Sequence, residues 1–225
     1  MLKNESGYRG LESALQNGYH RLEEAELPLL DAYCGRYKAF LTVSRTERAT
    51  VKNAISLAEK QGFRPYETGA ALQSGDRVYY SNRDRSVCLA VIGTRPLAQG
   101  MTIIAAHIDS PRLDVRPRPL YETDELAYLK THYYGWVRRY QWVATPLMLQ
   151  GVVVLRGGES VSVSIGDSDD DPRLVVTDLL PHLSAEQDKL PLSSAHPGEV
   201  MNLLVGSWPL PDCDKVKAVK LRVLE

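Results

Sequence analysis

Apolar and polar positions change their spacing along the chain, and each change marks a different kind of element. Over residues 8–43 apolar groups recur at helical spacing, with Leu11, Leu15, Tyr19 and Leu22 on one stripe. Pro28 interrupts the repeat, which predicts two helices with a break before it. Ser44-Arg45-Thr46-Glu47 has the Ser-x-x-Glu form of a capping box. The helix that follows it carries Val51, Ala54, Ile55 and Ala58 on one face, and Gly62 is placed to end it. Residues 77–81 and 87–93 then read as two strands of a hairpin, joined through the polar Asn82-Arg83-Asp84-Arg85.

Met101-Thr102-Ile103-Ile104-Ala105-Ala106 is a short apolar run between Gly100 and the polar His107-Ile108-Asp109-Ser110-Pro111. Such a run, closed by turn signals, predicts a fully buried strand. Pro111 disfavours the helical conformation at Ser110 and removes a ladder N–H, so the strand should stop there. His107 and Asp109 would then lie at the carboxyl end of a central strand, where open α/β sheets bind ligands. Side chains at i and i+2 of an extended segment point the same way, so the two could face one cleft. Imidazole is a good zinc ligand, and a neighbouring carboxylate ligates the metal or orients the ring. The same pair also serves as plain hydrogen-bonding groups at a strand end, and spacing alone leaves both readings open. Helix, then strands, then His107 is the order in which an α/β layered domain begins.

After Pro119 the texture changes. Arg116-Pro117-Arg118-Pro119 reads as a stiff connection suited to a domain boundary. Beyond it, residues 137–143, 147–155, 160–165 and 173–177 read as short strands, with Gly157-Gly158 as a turn. Asp167-Ser168-Asp169-Asp170-Asp171 is a polar tip that lacks the twelve-residue calcium-loop pattern and reads as a solvated turn. His132, Tyr133, Tyr134, Trp136, Tyr140 and Trp142 form a dense aromatic cluster, interleaved with Arg138 and Arg139. Aromatics and arginines of this kind stack on nucleic-acid bases or line protein interfaces. Val216, Val219, Leu221 and Val223 mark a last apolar segment.

Composition narrows these choices. The 225 residues carry 27 basic and 28 acidic side chains for a net charge of −1, which gives no electrostatic case for nucleic acid or an anionic membrane. A hydrophobic fraction of 44% is enough for a core, and no run approaches membrane-spanning length. MLKNESGYRG at the start lacks the apolar core of a signal peptide. Cys34, Cys88 and Cys213 are far apart and form no Cys-x-x-Cys pair, so neither a disulfide framework nor a thiolate zinc site is expected, and a reducing cytoplasm is the simplest location. The adjacent Glu23 and Glu24 lie on the N-terminal helical stretch, before any strand, and read as a solvated face.

The motifs themselves resemble a known family. AAHIDSPRLDVRPR at 105–118, PLYE at 119–122, YYSNRDRSVCLAVIG at 79–93, KTHYYG at 130–135, YQW at 140–142 and TDLLPHL at 177–183 are similar to segments of the M18 zinc metalloaminopeptidases, the aspartyl aminopeptidase family, in its bacterial branch. So are Gln150-Gly151-Val152-Val153-Val154 and Asn202-Leu203-Leu204-Val205-Gly206-Ser207. Where the family often carries a second glycine after Gly135, this chain has Trp136.

The resemblance implies an α/β fold: the N-terminal part of a metallopeptidase α/β/α domain over residues 1–118, an inserted β-rich dimerisation domain over 119–215, and a return to the peptidase domain at 216–225. It implies removal of N-terminal residues from a peptide substrate with two zinc ions per complete site, His107 as a zinc ligand and Asp109 as the catalytic-site carboxylate that orients the imidazole. It implies that His182, in Pro181-His182-Leu183, reaches a neighbouring subunit's substrate site; the alternative is a histidine in an amphipathic helix that starts at Pro181. The aromatic cluster becomes an interface of a homo-oligomer formed through the β-rich part. The bridging carboxylate, the other ligands and the general base of the family lie beyond the inserted domain, so the chain alone is expected to be inactive. A function of another class also remains open: a non-catalytic interaction module that pairs with a complete subunit.

Overall fold

The computed structural model describes residues 17–211 and 217–225, so Leu11, Leu15, Cys213 and Val216 lie outside the described residues. Contacts divide the chain into two units, residues 1–108 and 109–225.

In the first unit, Pro28 sits in the opening turn of helix α1 (Leu27–Val43), where its missing N–H costs nothing. The described part of the expected preceding helix is instead two short 3-10 turns, Gly18–Arg21 and Glu24–Glu26. Glu23 and Glu24 are exposed, as a solvated face requires, and the Glu23 N–H donates to the Glu26 carboxylate at 2.9 Å. Helix α2 (Glu47–Lys60) is capped by Thr46, whose hydroxyl accepts from the Ala49 N–H at 3.2 Å. The cap thus falls two residues later than the Ser44 box predicts. Thr46 takes the extended backbone a cap needs, and Ser44 is buried, with its carbonyl accepting from the Thr50 hydroxyl. Gly62, at φ +81°, ends α2 in a Schellman motif: its N–H donates to the Glu59 carbonyl and that of Phe63 to the Ala58 carbonyl. Val51 and Ala58 are buried, and Ala54 and Ile55 are half-buried, on the expected face.

Strands β1 (Arg64–Pro65), β2 (Arg77–Asn82) and β3 (Ser86–Val91) form a sheet in that order, β1 parallel to β2 and β2 antiparallel to β3. The expected hairpin is therefore present, and Arg83 and Asp84 turn it in the left-handed region. The expected buried strand at residues 101–106 is not. Residues 101–111 join no β-ladder, and Ile103 and Ile104 are 75% and 95% exposed. The physical reason is that a strand is held by its neighbours' hydrogen bonds, and none of the described strands pairs with this run.

The second unit is built on a hairpin that the sequence pattern conceals. Strand β4 (Arg112–Thr123) pairs antiparallel with β5 (Leu126–Tyr134) through a two-residue turn at Asp124 and Glu125, both left-handed. Residues 116–119, read as a connection, lie inside β4. The register shifts between Val115 and Leu120, and Arg118 has φ +52°. Because β4 is the edge of its sheet, Pro117 and Pro119 are tolerated there at a bulge. The sheet runs β4-β5-β9-β8, with β8 at Val175–Val176 and β9 at Leu203–Gly206. Strands β6 (Leu149–Val154) and β7 (Ser160–Ile165) form a separate antiparallel ribbon around the Gly157-Gly158 turn, as expected. Residues 137–143 are not a strand: Arg139–Gln141 is a 3-10 turn, and it delivers Trp142 to the core. That core is Leu174, Val176, Met201 and Leu203, with Leu113, Leu129 and Leu149 packed against it. At the acidic tip the Asp171 carboxylate accepts from the N–H groups of Ser168, Gly166 and Asp167, the Ser168 bond foremost, which holds its pKa below the ordinary value.

Helices α3 (Leu192–Ala195) and α4 (Ala218–Leu224) complete the unit. The last apolar segment, where described, is helix α4, and Val219 is buried by it. Gly206 of β9 lies beneath this helix; a Cβ there would meet Val223 Cγ2 at 2.9 Å and Val219 Cγ1 at 3.5 Å. Gly206→Ala is therefore expected to cost about 1–3 kcal/mol through overpacking. A lower urea midpoint at unchanged slope checks this, and an unchanged midpoint counts against it.

Candidate functional site

Asp109 opens the second unit and is half-buried. The Tyr134 hydroxyl, at the end of β5, donates to Asp109 Oδ2 at 3.1 Å. Tyr134 stands opposite Arg112 in the β4–β5 register, and the guanidinium carbon of Arg112 lies 3.9 Å from the centre of the Tyr134 ring. A cation over an aromatic face at this distance is attracted by the ring quadrupole. Arg112 Nε donates in turn to Asp114 Oδ1 at 2.7 Å, and Nη1 to the Ser110 carbonyl at 3.3 Å. The chain Asp114–Arg112–Tyr134–Asp109 thus holds the Asp109 carboxylate, and it uses Tyr134, which the sequence pattern placed only in the aromatic cluster. Arg112 and Asp114 stand two residues apart on β4, and Tyr134 becomes visible only once the hairpin register is known.

His107 lies in the last residues of the first unit and is exposed. It does not stand at a strand end, since residues 101–111 are not a strand. Among the described residues no group of three or more His, Cys, Asp or Glu side chains is placed to hold a metal ion. A catalytic zinc site takes three protein ligands and a water. His107 and Asp109 are donors of the right chemical type, but the described residues do not by themselves fit a complete zinc site.

His182 sits in a turn rather than in a helix starting at Pro181: the Leu183 N–H donates to the Leu180 carbonyl at 2.8 Å, and residues 181–186 are not helical. The imidazole is exposed, between Leu180 and Leu183 at 66% and 69% exposure. Beneath this loop is a cavity of about 440 Å³ lined by Asp178, Leu179, Ser184, Gln187, Leu190 and His196, among others. His132 is stacked on Tyr133 at 5.4 Å between centroids, and the Arg139 guanidinium lies 5.8 Å from the Tyr133 ring centre. The aromatic cluster divides accordingly. Trp142 packs on the core, while Tyr133, Tyr134 and Trp136 face solvent. Gly135 alone makes the left-handed turn there, at φ +77°, so Trp136 does not need the second glycine's freedom.

The sequence profile described as Aminopeptidase I zinc metalloprotease (M18) matches residues 40–222. The chain belongs to the M18 family. A probable M18 family aminopeptidase 1 of Clostridium acetobutylicum is 41% identical over 214 residues, covering 93% of this chain and 46% of that protein. Among solved structures, the M18 aminopeptidase of Thermotoga maritima superposes with a TM-score of 0.86 at 36% identity, covering 95% of this chain and 46% of that one. Aminopeptidase I of Borrelia burgdorferi B31 gives 0.80 at 37% identity, over 93% and 47%. The chain therefore spans about half the length of the curated M18 relatives it matches. Its mixed α/β fold with several sheets is that of M18 aminopeptidase structures. Among the described residues no helix is long and apolar enough to cross a membrane.

Proposed function

We propose that this chain serves as the amino-terminal half of a zinc-dependent aminopeptidase that removes N-terminal residues from peptides. The family match over residues 40–222 carries the reading, because it contains His107, Asp109 and His182. On this reading His107 offers its imidazole to zinc and Asp109, held by Tyr134, orients that imidazole. His182 reaches the substrate of a neighbouring subunit, where its N–H donates to the oxygen that gains negative charge. Residues 1–108 belong to the peptidase domain; a boundary after residue 118 would cut strand β4, so the β-rich body through which copies associate begins at Asp109, and helix α4 packs on it. The remaining zinc donors and the general base belong to the half of the relatives' length that this chain does not span. Cys34 and Cys88, free and exposed, suit a cytoplasmic setting.

The β6–β7 ribbon favours a second reading. Val152 and Val154 on one face of it, and Val153 with its cross-strand partner Val161 on the other, are exposed, so the ribbon offers apolar side chains to another chain. A non-catalytic module that pairs with a complete subunit would use this surface and need no zinc. One experiment separates the two. Residues 1–225 are co-produced with the polypeptide equivalent to the remaining half of the Clostridium acetobutylicum relative and assayed on aminoacyl-anilides with zinc. Turnover well above either half alone, lost in His107→Ala, is the expected result. A complex that copurifies without turnover would favour the module.

A further inference from the structure

The loop that carries His182 is exposed at its tip and tied at its base, and the tie is not explained by packing alone. At the tip Leu179, Leu180, His182 and Leu183 face solvent. At the base Gln187 Nε2 lies 3.3 Å from Asp178 Oδ1, 3.2 Å from the Ala195 carbonyl and 3.2 Å from His196 Nδ1. With its two N–H groups this amide joins Asp178, the residue that enters the loop, to the far end of the segment at Ala195 or His196, whose Nδ1 lies 3.8 Å from Asp178 Oδ1. Asp178 Oδ1 also accepts from the Leu179 N–H at 2.9 Å, so the same oxygen that meets Gln187 fixes the first backbone step of the loop. A second tie closes the other side. Buried Ser184 donates to Asp188 Oδ2 at 2.9 Å and contacts the Pro181 carbonyl at 3.3 Å, while the Asp188 N–H donates to the Ser184 carbonyl at 2.8 Å.

We propose that Gln187 is a positioning residue for His182, holding the Leu179–Leu183 loop in one conformation so that the imidazole is presented at a fixed place. The inference rests on the reading of His182 given above and adds to it the means by which an exposed histidine is kept oriented. Exposed loops without such ties sample many conformations, and ordering one at the moment of association costs side-chain and backbone entropy. A loop already held by Gln187 bears that cost during folding, which favours both docking and a correctly aimed donor. The bond, not the charge, is the working feature: Gln187 is neutral, and an amide oxygen at position 178 would accept as the carboxylate does.

Amide hydrogen exchange on purified 1–225 tests the tie without any assay of turnover. In Gln187→Leu the Leu183 and Asp188 amides should exchange at least about tenfold faster, with amides of β5 and β9 unchanged. In Asp178→Asn they should stay within about twofold of the parent, because the acceptor is retained. Exchange in Gln187→Leu that matches the parent, or acceleration spread equally over β5 and β9, would overturn the proposal. The reconstituted enzyme adds the functional arm. Gln187→Leu should lower kcat with KM and zinc content unchanged, and the double variant with His182→Ala should be no slower than His182→Ala alone. Additive losses would show that Gln187 acts elsewhere. An unaffected His182→Ala would sink the reading of His182 while the exchange result still decides whether the loop is tied.

Discussion

Purified 1–225 is expected to bind zinc weakly and to release no residue from an aminoacyl-anilide above background. A dinuclear peptidase site needs several donors in fixed geometry, including a carboxylate shared by both ions, and a general base beside them. The described residues provide no group of three donors. The other candidates are committed elsewhere. His196 faces Gln187, His132 stacks on Tyr133, and Asp76 accepts from Arg64 and from the Gln73 N–H. Glu23 lies beside and Glu24 in an exposed 3-10 turn, where the Glu23 N–H donates to the Glu26 carboxylate. One imidazole and one carboxylate leave a zinc ion mostly hydrated, and an ion without a base forfeits most of the several orders of magnitude that such groups supply together. A calorimetric zinc titration and a zinc-supplemented turnover assay check this. Tight binding of two ions with turnover would show that the chain holds a complete ligand set, and would remove the reason for assigning the remaining donors elsewhere.

How far the sequence leads depends on whether the decisive interaction is local. Helix α2, its glycine stop and the β2–β3 and β6–β7 hairpins follow from caps, turns and periodicity, all written within a few residues. The β4–β5 hairpin was hidden because its turn is Asp124-Glu125, with no glycine or asparagine to signal two left-handed residues, and because Pro117 and Pro119 argue against a strand unless it is known to be an edge. Met101–Ala106 shows the opposite failure. Its pattern is that of a strand, but ladder pairing is a property of the neighbour, and no described strand offers one. The same division holds for the site. His107, Asp109 and His182 stand in short motifs, which is enough to name them as candidates. Tyr134 and Gln187 act through contacts 25 and 9 residues away, which only the fold brings together.

The enzyme reconstituted from this chain and the remaining half of a relative should lose about 10²- to 10³-fold in kcat when His182 is replaced by alanine, with zinc content unchanged. The magnitude is that of removing one hydrogen-bond donor aimed at a developing oxyanion. The geometry fits such a role in two respects. The imidazole is exposed on a turn and not spent within the fold, and the leucines flanking it offer an apolar collar that would exclude water once seated against another surface. Excluding water strengthens the donor, because the same hydrogen bond acts in a lower dielectric. An exposed histidine of purely structural use would behave differently, since its removal would leave kcat intact. His182→Gln discriminates further: its amide N–H can donate but does not titrate, so it should retain part of the rate if donation is the role and none if proton transfer is. The measurement is kcat and KM for His182→Ala and His182→Gln beside zinc analysis of each preparation. A His182→Ala enzyme with parental kcat would remove His182 from the site, and a loss of bound zinc would place it among the ligands.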